Sequence, residues 1–294
     1  IRRPPRSTLS SSSAASDVYK RQDRDGKMQL ESLAQSGFDP LARTTRFMLT
    51  EEAHHMFVGD SGINRVIKRT CEAMIAAGIH DPYDINAVRS LGVIDLPTLQ
   101  KKANLHYSLS LDLFGSEIST NAANAYTNGL KGRYREDKID DDHQLLNDTY
   151  PVLRLINGEI ETTLEPALTA LNMRLRDDYT RETASGIKRW NKQIEKAGIS
   201  YELKLPNVTF NRKIGVFSEI ETSPEGLILD HKIFEERKDE WLPSQDDGAF
   251  VASLMHAEVR PGYYAGWIAP PKICLLYTSP SPRDATLSRM PSSA

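Results

Sequence analysis

Apolar residues recur every three or four positions over much of the chain between residues 28 and 198, the spacing that places them on one face of a helix. This pattern predicts helical segments at 41–59, 64–77, 99–135 and 160–196. Gly78 follows the second segment, as glycines commonly follow helix ends. We expect the two longer segments to be interrupted near Gly115, Pro166 and Gly186.

The pattern changes after residue 198. Segment 200–220 alternates apolar and polar residues, as β-strands do, and 227–233 predicts another short strand. Segment 234–241 is compatible with a short helix. The chain is therefore predicted to be mainly α, with a helical domain at 23–198 and a smaller mixed α/β cap at 199–273.

The two ends differ from the rest of the chain. Segments 1–22 and 274–294 are rich in Ser, Pro and Arg and have no apolar period. Codons for DVYKRQ at 17–22, read on the opposite strand with a shift of one base, encode CLLYTS at 274–279. One short DNA element in two orientations accounts for both junctions, so both ends resemble translated sequencing-library adaptors. We expect both to be disordered, and we expect 23–273 to be a native fragment that is cut at both ends.

Composition narrows the class of protein. The 294 residues include 37 Lys and Arg against 40 Asp and Glu, a net charge of −3. This mild acidity argues against a nucleic-acid-binding protein, and no apolar run is long enough to predict a transmembrane helix. Cys71 is the single cysteine of 23–273, which excludes a disulfide framework and favours a reducing, cytoplasmic location.

The strongest chemical signal is the run TEEAHH at 50–55. A glutamate and a histidine three residues apart lie on one face of a helix, so both side chains can reach one metal ion. Two such pairs are present, Glu51 with His54 and Glu52 with His55, and periodicity alone does not choose between them. An isolated pair of this kind is more often a solvated helix face than a metal site.

A carboxylate-bridged metal site also needs an acidic residue from the preceding helix. An antiparallel return of two helices places that residue about 30 positions upstream. Asp23 lies 29 residues before Glu52 and is the first residue after the adaptor-like end. Asp23 is therefore a candidate third ligand.

Two segments carry a resemblance to a known family. DRDGKMQLESLAQSGFDPL at 23–41 and TRFMLTEEAHHMFVG at 45–59 closely resemble the benzoyl-CoA 2,3-epoxidases, which are ferritin-like di-iron oxygenases of aerobic benzoyl-CoA degradation. The resemblance extends over the whole of 23–273. It implies a ferritin-like helical bundle that is incomplete in this chain.

The resemblance implies a site, cofactors and partners. It makes Asp23, Glu52 and His55 metal ligands for two carboxylate-bridged iron ions. It implies that O₂ epoxidises the ring of benzoyl-CoA at the 2,3 position, with electrons from a separate NADPH-dependent reductase that carries the flavin. The remaining ligands of the family lie upstream of Asp23. We therefore expect this chain to hold half of the iron site and to be inactive alone.

Two alternative functions are compatible with the same residues. The alternatives are another ferritin-like di-iron protein, such as an iron store or a ribonucleotide reductase radical subunit, or a metal-free helical interaction module. Iron storage predicts no cap at 199–273.

Asp112 lies in an apolar context and is expected to pair with a cation or to approach the site. Candidate phosphate contacts for CoA are Lys68, Arg69, Lys101, Lys102, Lys131, Arg133 and Arg135.

Overall fold

The structure is a computed structural model that describes residues 24–133, 135–136, 143–255 and 263–271. In this part of the chain helices predominate, and two small antiparallel sheets contribute the strands. The helices are α1 (24–33), α2 (Asp39–Ala77), α3 (Ile85–Ser90), α4 (Leu96–Leu113), α5 (Thr120–Thr127), α6 (His143–Asn147), α7 (Leu171–Lys196), α8 (His231–Trp241) and α9 (Gln245–Leu254). The strands are β1 (Thr149–Ile156), β2 (Glu159–Pro166), β3 (Glu221–Thr222) and β4 (Ile228–Leu229). A mainly α protein with a small mixed part is thus confirmed.

Helix α2 is longer than the sequence pattern predicts. The segments predicted at 41–59 and 64–77 form one continuous helix of 39 residues. The interruption expected between them is absent because Gly59 is buried by packing and the Ser61 hydroxyl bonds the Val58 carbonyl within the helix. The helix ends at Gly78 as predicted, where φ is +69° and the chain turns back on the last carbonyls.

The main core lies between the second half of α2, the start of α4 and α7. Its buried members include Ile63, Ile67 and Met74 of α2, Leu96 and Leu99 of α4, and Ile187, Trp190 and Ile194 of α7. The rings of Tyr83 and Tyr201, shortly after the ends of α2 and α7, have centroids 5.4 Å apart. Because these helix ends meet, and Asp60 contacts Arg189 further back, α2 and α7 run in the same direction.

Helix α7 corrects two predictions. It begins at Leu171 rather than near 160, because 159–166 is the second strand of the β1–β2 hairpin. Asn157 and Gly158 form the tight turn of that hairpin with positive φ angles, so an Asn-Gly turn signal outweighed the helical spacing. The break expected at Gly186 is absent. Gly186 lies inside α7, where a Cβ atom would come within 3.0 Å of Nη1 of Arg24.

The segment after α7 is less regular than its alternating pattern predicts. Most of 200–220 is coil with a short 3₁₀ turn, and the two-residue strands β3 and β4 lie after this segment. Side chains rather than a ladder satisfy much of this backbone: the Leu203 amide bonds Asn191, and the Lys204 amide bonds Gln100. The helix predicted at 234–241 is confirmed within α8. The division of the chain into domains at residue 198 stays a prediction.

A buried ionic chain ties the loop after α4 to α7 and to the irregular segment. Glu117 Oε1 lies 3.0 Å from Nη1 of Arg176 and 3.6 Å from Nη1 of Arg212. Arg212 Nε also donates to Asp112 at 2.6 Å, and the Val216 amide donates to Glu117. The expectation that Asp112 pairs with a cation is confirmed. Burial lowers the pKa of Arg176 to about 10, and the nearby Arg212 adds to this, so Glu117 is needed to hold both charges.

Glu117→Gln should destabilise the chain by about 3 kcal/mol, because two buried guanidinium groups lose a shared carboxylate while the shape stays the same. Urea unfolding followed by circular dichroism measures the difference. Glu236→Gln, on the exposed face of α8, is the matched control and should shift stability by less than about 0.5 kcal/mol. An unfolding midpoint for Glu117→Gln equal to that of the unmutated chain would contradict the claim that the ionic chain stabilises the fold.

Candidate metal centre

Glu52 and His55 lie one turn apart on α2. Oε2 of Glu52 is 3.8 Å from Nδ1 of His55, so both side chains point to one side of the helix. The Glu52 side chain is 18% exposed and the His55 side chain 50% exposed. The pair is therefore set at the surface, with the carboxylate turned inward and the imidazole accessible.

One oxygen of the Glu52 carboxylate is not stabilised by hydrogen bonds from the described residues. Its Oε2 atom is shielded from solvent and accepts no hydrogen bond from any residue that the structure describes. A shielded carboxylate oxygen without a donor or cation is costly. A metal cation bound between Glu52 and His55 would neutralise that charge, so the two side chains fit a pair of metal ligands.

The neighbouring pair faces differently. Glu51 and His54 are both exposed on the outer side of α2. The spacing in the sequence left the two pairs equivalent, and the structure turns Glu52 rather than Glu51 inward. Which of them binds a metal stays a prediction.

The described residues do not complete a metal site. Over the described ranges, no group of three or more His, Cys, Asp or Glu side chains is arranged to hold a metal ion. Asp23, the predicted third ligand, lies outside the described residues. Glu52 and His55 would thus supply two ligands of a larger set.

An ionic bridge joins three helices near the pair. Asp60 lies two turns after Glu52 and contacts Arg24 of α1 at 3.7 Å and Arg189 of α7 at 3.0 Å. Arg24 also donates to the carbonyl of Glu182 on α7. The start of α1 is therefore held beside both long helices next to the candidate ligands.

The first half of α2 exposes large apolar side chains around the pair. Phe47 is 73% exposed and Phe57 is 70% exposed, and Met48 and Val58 are also open to solvent. A helix with such a face normally packs against a partner. None of the described residues covers this face.

The predicted phosphate contacts are mostly engaged by other groups of the chain. Most of them already have partners: Lys68 with Glu72, Arg69 with the Gly266 carbonyl, Lys101 with Asp247, Arg133 with Glu136, and Arg135 with Glu182. Lys102 lines a small apolar cavity. Lys131 is half-buried, and burial lowers its pKa. Lys131 and Arg133 line one small pocket together with Arg174, and phosphate binding by any of these residues stays a prediction.

A basic row that sequence reasoning overlooked lies on α7. Arg189, Lys192 and Lys196 follow one another at spacings of three and four residues and line a cleft against α2. The spacing was visible in the sequence. What could not be seen was that this exposed row lies at the edge of a cleft that α2 forms with α7.

The other candidate residues, a cysteine and two aromatic residues, have structural roles. Cys71 is buried in the main core, and burial raises the pKa of its thiol to about 11, so the thiol stays protonated at neutral pH. Trp267 belongs to the same core, and the ring of Tyr264 lies under the guanidinium of Arg65. The described part of the chain has no helix that is both long and apolar enough to cross a membrane.

The comparisons with known proteins match this chain to one kind of oxygenase component. No family model matches the chain. Benzoyl-CoA oxygenase component B from Aromatoleum evansii is 53% identical over 249 residues, which are 85% of this chain and 52% of that protein. The chain therefore spans about half the length of this curated relative. The resemblance seen at 23–41 and 45–59 is confirmed by this similarity.

Glu52→Gln should stabilise the metal-free chain by about 1 kcal/mol, because the isosteric amide removes the charge of a shielded oxygen that accepts no hydrogen bond from the described residues. Glu51→Gln removes an exposed charge from the adjacent position and should change stability by less than about 0.5 kcal/mol. Thermal and urea unfolding in the presence of a chelator compare the two. If both variants have the same unfolding midpoints as the unmutated chain, the charge of Glu52 does not destabilise the metal-free chain.

Proposed function

We propose that this chain is part of the oxygenase component of a benzoyl-CoA oxygenase and that Glu52, His55 and Asp23 belong to its di-iron site. The observation that carries the proposal is the shielded Oε2 of Glu52, which accepts no hydrogen bond from the described residues and lies 3.8 Å from Nδ1 of His55. The name of the relative, which shares 53% of the aligned residues, supports the choice of substrate. The proposal concerns the whole protein, because this chain spans only about half of the length of its relative.

The reaction we propose inserts one atom of O₂ into the ring of benzoyl-CoA as a 2,3-epoxide. Two electrons and two protons reduce the other atom to water. When bound, the iron pair would supply the oxygen activation that protein side chains cannot supply.

The residues of this chain would hold and shield that chemistry. Glu52 contributes a carboxylate and His55 an imidazole nitrogen from one turn of α2, and Asp23 a second carboxylate. Carboxylate-rich ligands suit iron in high oxidation states, and the negative charges of Glu52 and Asp23 would offset the charge of the metal. Met56 and Phe57, which follow the pair, provide apolar surface that would exclude water from the ring of the substrate.

We propose that the electrons come from a separate reductase that uses NADPH and carries the flavin. The designation "component B" of the relative supports the existence of a partner component. The chain has no glycine-rich dinucleotide fingerprint, which also favours a cofactor bound elsewhere. The apolar face of α2 would be covered by the rest of the bundle.

A chimera tests this function. Segment 23–273 would replace the matching half of the Aromatoleum evansii relative, so that the whole bundle is present. We expect the purified chimera to contain iron and, with reduced reductase and O₂, to convert benzoyl-CoA to a product heavier by one oxygen atom in mass spectrometry. Glu52→Ala and His55→Ala should each lower bound iron and turnover by more than about tenfold.

The neighbouring pair provides the matched controls. Glu51→Ala and His54→Ala in the same chimera should keep iron and turnover within about twofold of the unmutated chimera. Iron loss in these variants instead would move the site to the other pair. A folded chimera without iron would favour the metal-free interaction module.

A further inference from the structure

An exposed stripe of side chains runs along the first half of α2, on the side of the helix away from the buried residues Thr45, Gly59 and Ile63. Its six members alternate between spacings of three and four residues, and we call them the outer stripe: Thr44, Phe47, Glu51, His54, Val58 and Ser61. Ser61 is half-buried and the other five are exposed. This spacing is that of positions a and d of a coiled coil, which face a partner helix.

The outer stripe combines apolar and polar residues in a fixed order. Phe47 is 73% exposed and Val58 is 49% exposed, and they lie on either side of Glu51 and His54. Neither Glu51 nor His54 forms an ion pair with any residue that the structure describes. The apolar side chains therefore lack cover, and the polar pair is open to an outside partner.

The order of the outer stripe is self-complementary. Its spacings are the same when read from either end, with a midpoint between residues 52 and 53. When two copies of α2 lie antiparallel about this midpoint, each residue meets the one at the same distance on the other copy. Phe47 then meets Val58 of the other copy, and Glu51 meets His54 of the other copy. Apolar residues thus meet apolar ones, and a carboxylate meets an imidazole.

Charge favours this antiparallel direction over the parallel one. A parallel pair in the same register would place the two Glu51 carboxylates against each other, and like charges at a helix interface are unfavourable. In the antiparallel pair, both Glu51 carboxylates have a histidine opposite. The exposed stripe is therefore suited to one specific partner, a second copy of the same helix.

We propose that two copies of this chain associate through the outer stripe of α2 as a two-fold symmetric, antiparallel helix pair. One patch serves both copies, as in any two-fold interface. Six residues over roughly 26 Å of helix bury a small area, so the dimer is weak, with a dissociation constant in the micromolar range. The proposal does not rest on the oxygenase function. In the whole protein the rest of the bundle would cover this part of α2, and in this chain a second copy takes its place.

Sedimentation equilibrium of the full chain, in the presence of a chelator, measures this association. Phe47→Asp should weaken dimerisation by at least about tenfold, because it puts a charge into two apolar layers of the interface. The control Leu227→Asp changes a residue outside α2 that is 67% exposed, and its dimerisation should stay within about twofold of the unmutated chain.

Two outcomes of this experiment overturn the proposal. One is a chain that stays monomeric at every concentration up to the millimolar range, which would leave the outer stripe to the rest of the bundle in the whole protein. The other is equal dimerisation of Phe47→Asp and Leu227→Asp. Neither outcome depends on iron or substrate, so a chimera without iron would refute the oxygenase function and leave the dimer standing.

A charge exchange tests the contact between Glu51 and His54. Glu51→Lys and His54→Glu should each weaken dimerisation by about tenfold, because each removes the complementary pair. A mixture of these two single variants should recover dimerisation, since the new lysine of one chain meets the new glutamate of the other. A folding defect in either variant cannot produce this recovery. Two single variants that stay monomeric when mixed would contradict the contact.

Spin labels test the antiparallel direction. The labels are attached to cysteines that replace Arg43 or Thr50, both exposed on α2, in a Cys274→Ser background in which the remaining Cys71 is buried. From the helical rise, two labels at Arg43 should lie roughly 30 Å apart along the axis and two labels at Thr50 roughly 8 Å. Electron–electron double resonance measures these separations. The same distance at both positions would indicate parallel helices and overturn the proposal.

Discussion

The ionic bridge centred on Asp60 is the interaction on which the candidate site depends. It joins Arg24 of α1 and Arg189 of α7 to α2 at the level where the buried half of α2 gives way to its exposed half. Beyond this level, α2 and α7 share the main core and run in the same direction. The part of α2 that precedes Asp60 carries the Glu52–His55 pair. One carboxylate thus holds the helices that carry the pair, the start of α1 and the cleft in a fixed relation.

The pair itself illustrates a conflict between stability and function. A shielded carboxylate oxygen without a donor is destabilising, and Glu52 Oε2 has no donor among the residues that the structure describes. Folded proteins tolerate such costs mainly at sites where a ligand or metal later supplies the missing charge. By contrast, the buried carboxylates of Asp112 and Glu117 are fully engaged by Arg176 and Arg212, and they serve structure.

The sequence predicted the long helices better than it predicted the connections between them. Helical spacing identified both halves of α2 but could not show that packing carries the helix through Gly59. The β1–β2 hairpin was missed because its strands share apolar spacings with a helix, although Asn157 and Gly158 signalled the turn. The basic row on α7 was missed for a different reason: its meaning depends on α2 lying opposite, which is a tertiary fact. Similarity to a known oxygenase component, rather than periodicity, singled out Glu52 and His55.

The central claim is that Glu52 and His55 bind a metal ion together, and paramagnetic broadening of histidine ring signals tests it most directly. The structure contains a second glutamate–histidine contact, Glu221 with His231 at 2.9 Å, which is an internal competitor on the exposed surface of α8. In a chain labelled at its histidines and titrated with substoichiometric Mn²⁺, the account predicts that the His55 signals broaden first, before those of His54 and His231. Equal broadening of all three histidines, or broadening of His231 ahead of His55, would contradict it.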